Sequence, residues 1–392
     1  MFAVLDRARK LSALMFALAA TLFLTACGAT MSTTGGPRID TSQPVPVALL
    51  VPGGSSSATD NALASSLENA ARLAMGELNG VNIDLRVYNT AGSAGTASSQ
   101  AQAAIADGAK IILGPVYADN AAAAGVAAAS QGVNVLAFSN NPSVAGGNVF
   151  ILGNTFENTA RRMVSYAARQ NRGNIMVVYG QSPAETLARD AILQAIASTP
   201  GASQAGTAGF ELSQNGVVQA IPAISSQIKS SGANSVFLTS GTDGALPFAT
   251  SLLSENGVKP PSVQFLGMQR WDIPATALTL AGVQGGWFAL PDPDLSGRFV
   301  QRYEAAYGAQ PHPIAGLAYD GIAAIGALVK AGNSNALSGS ALTQSQGFVG
   351  VNGVFRLRND GTNERGLAVA QIQNQQVVVI DPAPKSFSGV GF

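Results

Sequence analysis

Lys110 to Phe138 reads KIILGPVYADNAAAAGVAAASQGVNVLAF, and this stretch decides the fold. Lys110 to Leu113 is a short apolar run stopped by Gly114-Pro115, the pattern of a buried strand ending in a turn. Asp119 to Ser130 is alanine-rich and free of breakers other than Gly125, so it predicts a helix. Val133 to Phe138 is a second apolar run bounded by Gly132 and Ser139. A strand, a helix and a strand within 29 residues form one unit of a parallel sheet.

The same alternation extends upstream. Val45 to Val51 predicts a buried strand, Asp60 to Leu78 a helix, Ile83 to Tyr88 a strand and Thr96 to Ala106 a helix. It resumes downstream with helices at Thr155 to Gln170, Ala184 to Ser198, Val217 to Ser230 and Gly244 to Glu255. Strands Ile175 to Tyr179, Gly206 to Phe210, Ser235 to Thr239 and Val263 to Leu266 alternate with them. Helices Leu295 to Tyr307 and Ile314 to Val329 follow. Short strands Gly353 to Leu357, Leu367 to Ile372 and Val377 to Ile380 come last. The expected class is α/β, in two halves divided near Gly153, each a mostly parallel sheet flanked by helices.

Composition limits the function. The chain has 392 residues, 47% hydrophobic and 11% charged, with no net charge. The usual charged fraction is about 25%, so small polar residues must cover much of the surface. No basic run long enough for nucleic acid follows the first ten residues. One cysteine and one histidine exclude an internal disulfide and a metal site rich in those residues, and no cofactor or metal motif is present. No phosphate-binding glycine loop or nucleophile elbow occurs, and no catalytic residue is singled out.

The amino terminus has a different character. Arg7, Arg9 and Lys10 precede an apolar run, Leu11 to Leu24 (LSALMFALAATLFL), which is shorter than the roughly 20 residues of a membrane-spanning helix. It reads as a secretory signal. The run ends in Leu24-Thr25-Ala26-Cys27, which resembles the lipobox of bacterial lipoproteins. That resemblance implies a signal over residues 1–26 and acylation of Cys27, with the mature protein held to the inner or outer membrane in the periplasm. Gly28 to Pro44 (GATMSTTGGPRIDTSQP) reads as a flexible tether over 27–44, able to reach roughly 50 Å when extended.

The ordered set VALLVP, IILGPVYADNAAAAG, VNVLAFSNNPS, GNIMVVYGQS, SVFLTSGTDGALPF, VQFLGMQRWD and IAGLAYDGIAAIGALVKA resembles the type I periplasmic binding proteins of the leucine/isoleucine/valine-binding group. The likeness spans about Val45 to Ile380. It implies a clamshell of two lobes joined by three crossings, near Gly153, Leu290 and Gly347. Lobe one is then 45–153 plus about 291–347, and lobe two 154–290 plus about 348–392. It also implies uptake of a small polar ligand, an amino acid or a related solute, through an ABC-type permease. FSNNPSVAG and the alanine-rich lipoprotein context also resemble the lipoprotein activators of penicillin-binding proteins. The alternative is therefore a regulator of peptidoglycan synthesis whose partner is a penicillin-binding protein.

Ligands of open α/β sheets lie beyond the carboxyl ends of the strands. Those ends carry Ser55, Tyr117, Ser139 and Asn140 in the first half, and Ser182, Ser240, Gln269 and Arg270 in the second. Their hydroxyls and amides suit a polar or anionic ligand. The resemblance implies that Ser139 and Asn140 hold a carboxylate. The second half departs from the amino-acid binders: Gln269-Arg270-Trp271 stands where an acid is expected, and Ser182-Pro183 where a tyrosine is. Arg270 attracts an acidic group instead. Competing roles are packing at a helix start for Tyr117, pairing with Asp272 for Arg270 and a core or rim position for Trp271. Tyr319-Asp320 has a structural reading and His312, between two prolines, that of an exposed loop residue.

Overall fold

The computed structural model describes residues 36–387. Cys27 and the signal segment lie outside the described residues. Five strands, β1 (Val45–Val51), β2 (Ile83–Asn89), β3 (Ile111–Leu113), β4 (Asn134–Ala137) and β5 (Val149–Ile151), form the first sheet. Their order is β2-β1-β3-β4-β5, with every neighbour parallel. Both faces are covered. Val45, Val47, Leu49 and Val51 of β1 enter one core, and Ala48 and Leu50 enter another, as a strand's two-residue period requires.

Helices α1 (Ala58–Glu77), α8 (Pro293–Tyr307) and α9 (Gly316–Lys330) close the first of these cores, with Leu67, Phe299 and Ile322 among the buried side chains. Each fully buried leucine or isoleucine contributes about 1.5–3 kcal/mol. Helices α2 (Ala94–Ala106) and α3 (Ala118–Ala129) cover the other face through Ala101, Ala104, Ala121, Ala124 and Ala128. Small residues let them lie close to the sheet: a Cβ on Gly125 would come within 2.3 Å of Val149 Cγ2.

The second sheet repeats that order. It contains β6 (Asn174–Gly180), β7 (Ser203–Phe210), β8 (Ser235–Leu238), β9 (Gln264–Gly267) and β10 (Trp287–Leu290), arranged β10-β9-β8-β6-β7 and parallel. A separate antiparallel sheet of β11 (Phe348–Gly350), β12 (Gly353–Leu357) and β13 (Asn363–Arg365) intervenes in the chain. Then β14 (Ala368–Gln373) and β15 (Gln376–Asp381) join the second sheet antiparallel beside β10. Helices α4 (Phe156–Arg169) and α5 (Pro183–Ser198) cover one face of this sheet. Helices α6 (Gln214–Ser230) and α7 (Leu246–Glu255) cover the other.

The predicted helices and strands are present, and four further strands of three or four residues (β5, β10, β11 and β13) were not predicted. The strand expected over Gly206 to Phe210 begins at Ser203. The tether read to Pro44 meets the protein earlier: Ile39 is buried in the first core and its N–H donates to Ser334 O at 2.9 Å. Its apolar side chain explains the docking. Phe348, Val351, Phe355 and Leu357 also bury in the first core, so the chain passes to the second sheet only between Arg365 and Ala368.

Candidate ligand cleft at the crossings

The chain crosses between the sheets three times, and each crossing is tied by polar contacts. At the first, after β5, Gly153 N–H donates to Ser139 O at 3.1 Å. A Cβ at position 153 would lie 2.5 Å from that oxygen, so only glycine permits this approach. At the second, Asp292 caps α8 by accepting from Asp294 N and Leu295 N, at 3.0 and 3.1 Å. Lys385 Nζ lies 2.8 Å from its other oxygen. Burial would raise the Asp292 carboxyl, but Lys385 and the two N–H groups outweigh it and hold it below the usual carboxylate range. At the third, Asn363 Nδ2 donates to Ile151 O and Gly153 O at 2.7 and 2.8 Å, and its Oδ1 accepts from Asn158 Nδ2 at 2.6 Å.

A buried ion pair links all three. Asp320 of α9 and Arg365 of β13 lie 3.3 Å apart, with side chains 0% and 3% exposed. Asp320 accepts from Val351 N at 2.7 Å and from Asn352 Nδ2 at 3.2 Å. Asn352 O in turn accepts from Asp292 N. Arg365 Nε donates to Leu152 O at 2.8 Å, and its guanidinium lies 5.0 Å from the Phe355 ring centroid. Burial pushes the Asp320 carboxyl up and the Arg365 guanidinium down, and each partner pushes the other back toward its charged form.

Against this pair lies a cavity of about 240 Å³. Met268, Ala289, Leu290 and Leu367 wall it from the second sheet, and Pro313, Ile314 and Leu317 from the start of α9. Asn154, Thr159, Arg270, Asn352 and Arg365 are its polar lining. Because Leu317 belongs to the first core and Met268 to one of the second sheet's cores, the cavity is shared by both halves.

Of the side chains expected from the strand ends, only Arg270 borders this cavity. It is also paired with Asp272, Nε to Oδ1 at 2.6 Å and Nη2 to Oδ2 at 2.5 Å. The others bond within their own half of the molecule. Ser55 Oγ accepts from Ser57 N, and Ser139 Oγ, buried, accepts from Asn141 N. Asn140 is exposed. Tyr117 starts α3 and donates to Asp60 Oδ1 at 2.6 Å. Gln269 Nε2 donates to Thr239 O at 3.3 Å.

Ser182 and Ser240 meet through Glu185. Ser182 Oγ caps α5 by accepting Glu185 N at 3.2 Å, and Glu185 Oε2 accepts from Ser240 Oγ, Thr239 Oγ1 and Gly180 N at 2.7, 2.6 and 2.7 Å. Neither Glu185 nor Arg365 was expected from sequence. A signal for the latter existed: Arg356, Arg358, Asp360, Glu364 and Arg365 crowd into ten residues of a charge-poor chain.

The remaining readings divide. Trp271 is fully buried, packed on Gly267 and Gly286, and belongs to the core. Tyr319 donates to Glu77 Oε2 at 2.5 Å, tying α9 to α1, and burial first and this bond second push its hydroxyl up to about 12. His312 is half-buried rather than exposed, because Ser66 Oγ accepts its N–H at 2.8 Å and holds the loop on α1. Among the described residues no three metal-ligating side chains cluster, and no helix is long and apolar enough to cross a membrane.

A family model for periplasmic binding proteins matches residues 44–376. The chain belongs to the periplasmic binding protein family. No curated protein sequence matches it. Solved relatives share the fold at low identity. A putative branched-chain amino acid ABC transporter protein from Rhodospirillum rubrum has 17% identity and a TM-score of 0.72, covering 86% of this chain and 100% of its own. A Desulfitobacterium hafniense ABC transporter substrate-binding protein in complex with Leu has 15% identity and a TM-score of 0.64, covering 86% and 100%. A solute-binding protein from R. palustris in complex with benzoate has 16% identity and a TM-score of 0.57, covering 89% and 99%. The repeated strand order of this periplasmic binding protein, two sheets joined by three crossings, is the two-lobed architecture of these neighbours.

Proposed function

We propose that this periplasmic binding protein captures a small solute between its lobes and hands it to an ABC-type permease, without chemistry on the solute. Lobe one is built on the five-stranded sheet with α8 and α9, and lobe two on the seven-stranded sheet. The chain works in the periplasm, held to a membrane by a lipid on Cys27. The observation that carries the reading is the cavity walled by both halves at the three crossings, where closing the lobes would enclose a solute. The relatives solved with Leu and with benzoate support a solute of that size.

The test is the melting temperature of the full chain in detergent against a panel of amino acids, organic acids and short peptides. A cognate solute at a hundred times its dissociation constant adds about 2.7 kcal/mol. A shift with one chemical class supports the reading, and no shift with any solute overturns it. Radiolabelled palmitate incorporation that disappears in Cys27→Ser tests the anchor. Unchanged labelling would place the lipid elsewhere.

A further inference from the structure

Resting on the solute-binding reading above, we propose that the cavity takes a compact organic carboxylate with no ammonium group, its carboxylate held by Arg270 and Arg365 and its apolar body against the walls. Charge is the first argument. The lining contains two arginines and no aspartate or glutamate. The two nearby carboxylates are already engaged, Asp272 by Arg270 and Asp320 by Arg365, Asn352 and Val351. Each pair is neutral overall, but its guanidinium and not its carboxylate lines the cavity, so an ammonium would meet N–H donors and no free carboxylate, whereas a carboxylate meets the donors it needs.

Donor geometry is the second argument. A guanidinium carries five N–H donors. Arg270 gives Nε and Nη2 to Asp272, and no described residue takes its Nη1. Arg365 gives Nε and Nη2 to Leu152 O and one Nη1 hydrogen to Asp320, leaving one hydrogen on each terminal nitrogen. These are the donors that carboxylate oxygens accept with charge assistance. Arg365 is fixed by burial, with its side chain 3% exposed. Arg270 is held to Asp272 but 36% exposed, so its remaining N–H groups are open to a ligand.

Shape is the third argument. Met268, Leu290, Ile314, Leu317 and Leu367 give the cavity branched and sulfur-bearing apolar walls. The two remaining lining amides are partly used, Asn154 Nδ2 on Thr159 Oγ1 and Asn352 Nδ2 on Asp320. An aliphatic or aromatic acid fits that division into one charged corner and an apolar body.

The test is calorimetric titration of the full chain in detergent with 4-methylpentanoate, benzoate, L-leucine and 3-methylbutylamine. Leucine differs from 4-methylpentanoate only by its amino group. At least one acid is expected to bind, with leucine and the amine at least about tenfold weaker. Arg270→Gln is expected to weaken the acid at least about tenfold, and Arg270→Lys, which keeps the charge but loses the planar fork, to fall between. The control Ser182→Ala leaves acid affinity unchanged. Leucine binding as tightly as the acids overturns the carboxylate class and leaves the solute-binding reading standing. Binding of none of the four overturns the class, and the broader melting panel then decides the solute-binding reading by itself. Acid binding unchanged in both Arg270 variants overturns the site.

Discussion

Ser182 and Arg365 are both polar side chains beside the second sheet, but they act over very different spans of the chain. The Ser182 cap joins residues 3 apart, and the Arg365 bond to Leu152 joins residues 213 apart. The strand-end loops repeat the first pattern at Ser57, Ser93, Ser139 and Ser213. The crossings repeat the second, with Asn363 reaching Ile151 and Asn158 reaching Asn363. A loop that caps its own helix is complete whatever the other half of the molecule does. The crossings add bonds made only when both halves meet, Asn158 of α4 on Asn363 and Lys385 on Asp292, so they fix how the halves sit together and are the part a solute can act upon.

The largest test of this contrast is Asp320→Ala. It leaves the Arg365 guanidinium buried without its counter-ion and is expected to cost about 3–5 kcal/mol by urea unfolding. A loss below about 1 kcal/mol would put the crossings on the same footing as the loops. Next is Gly153→Ala. Its methyl group would press on the Ser139 carbonyl, for an expected cost of about 1–3 kcal/mol. Ser182→Ala follows, at about 1 kcal/mol from the lost cap, with solute affinity unchanged.

The smallest effect is at His312. Burial lowers its pKa below 6.5, so the folded protein favours the neutral ring. The sign follows: stability held above pH 6.5 is lost as pH falls through the folded value. A proton NMR titration of this sole histidine is expected to have its midpoint below 6.5, and His312→Gln to flatten part of the acid-side loss. A midpoint at or above 6.5 would mean the ring is not buried.

The same contrast explains what the sequence revealed. Strand β1 announces itself as an unbroken apolar run, because Val47 and Leu49 face one core and Ala48 and Leu50 another, and helix α1 through apolar residues at helical spacing. The paired βα halves were legible for that reason. The expected polar loops do follow strands, yet Ser139 and Ser240 turn to Asn141 and Glu185 rather than into the cavity. Local pattern places a hydroxyl at a strand end without saying which N–H or carboxylate it meets. Arg365 and Asp320 are 45 residues apart, and the Asp320 side chain sits on an otherwise apolar helix. Their meeting depends on α9 returning to the first core and on a three-residue strand, neither of which leaves a local period. Arg270 was legible because it lies in the loop just past the end of β9, and its pairing with Asp272 was among the readings open from sequence.

If the two halves close on a solute at the crossings, the molecule becomes more compact. Solution X-ray scattering of the full chain, titrated with 4-methylpentanoate or benzoate, measures that change. The radius of gyration is expected to fall as the acid binds, and in Arg270→Gln the same fall is expected to need at least about tenfold more acid. An unchanged scattering profile under conditions where calorimetry records saturation would contradict that closure.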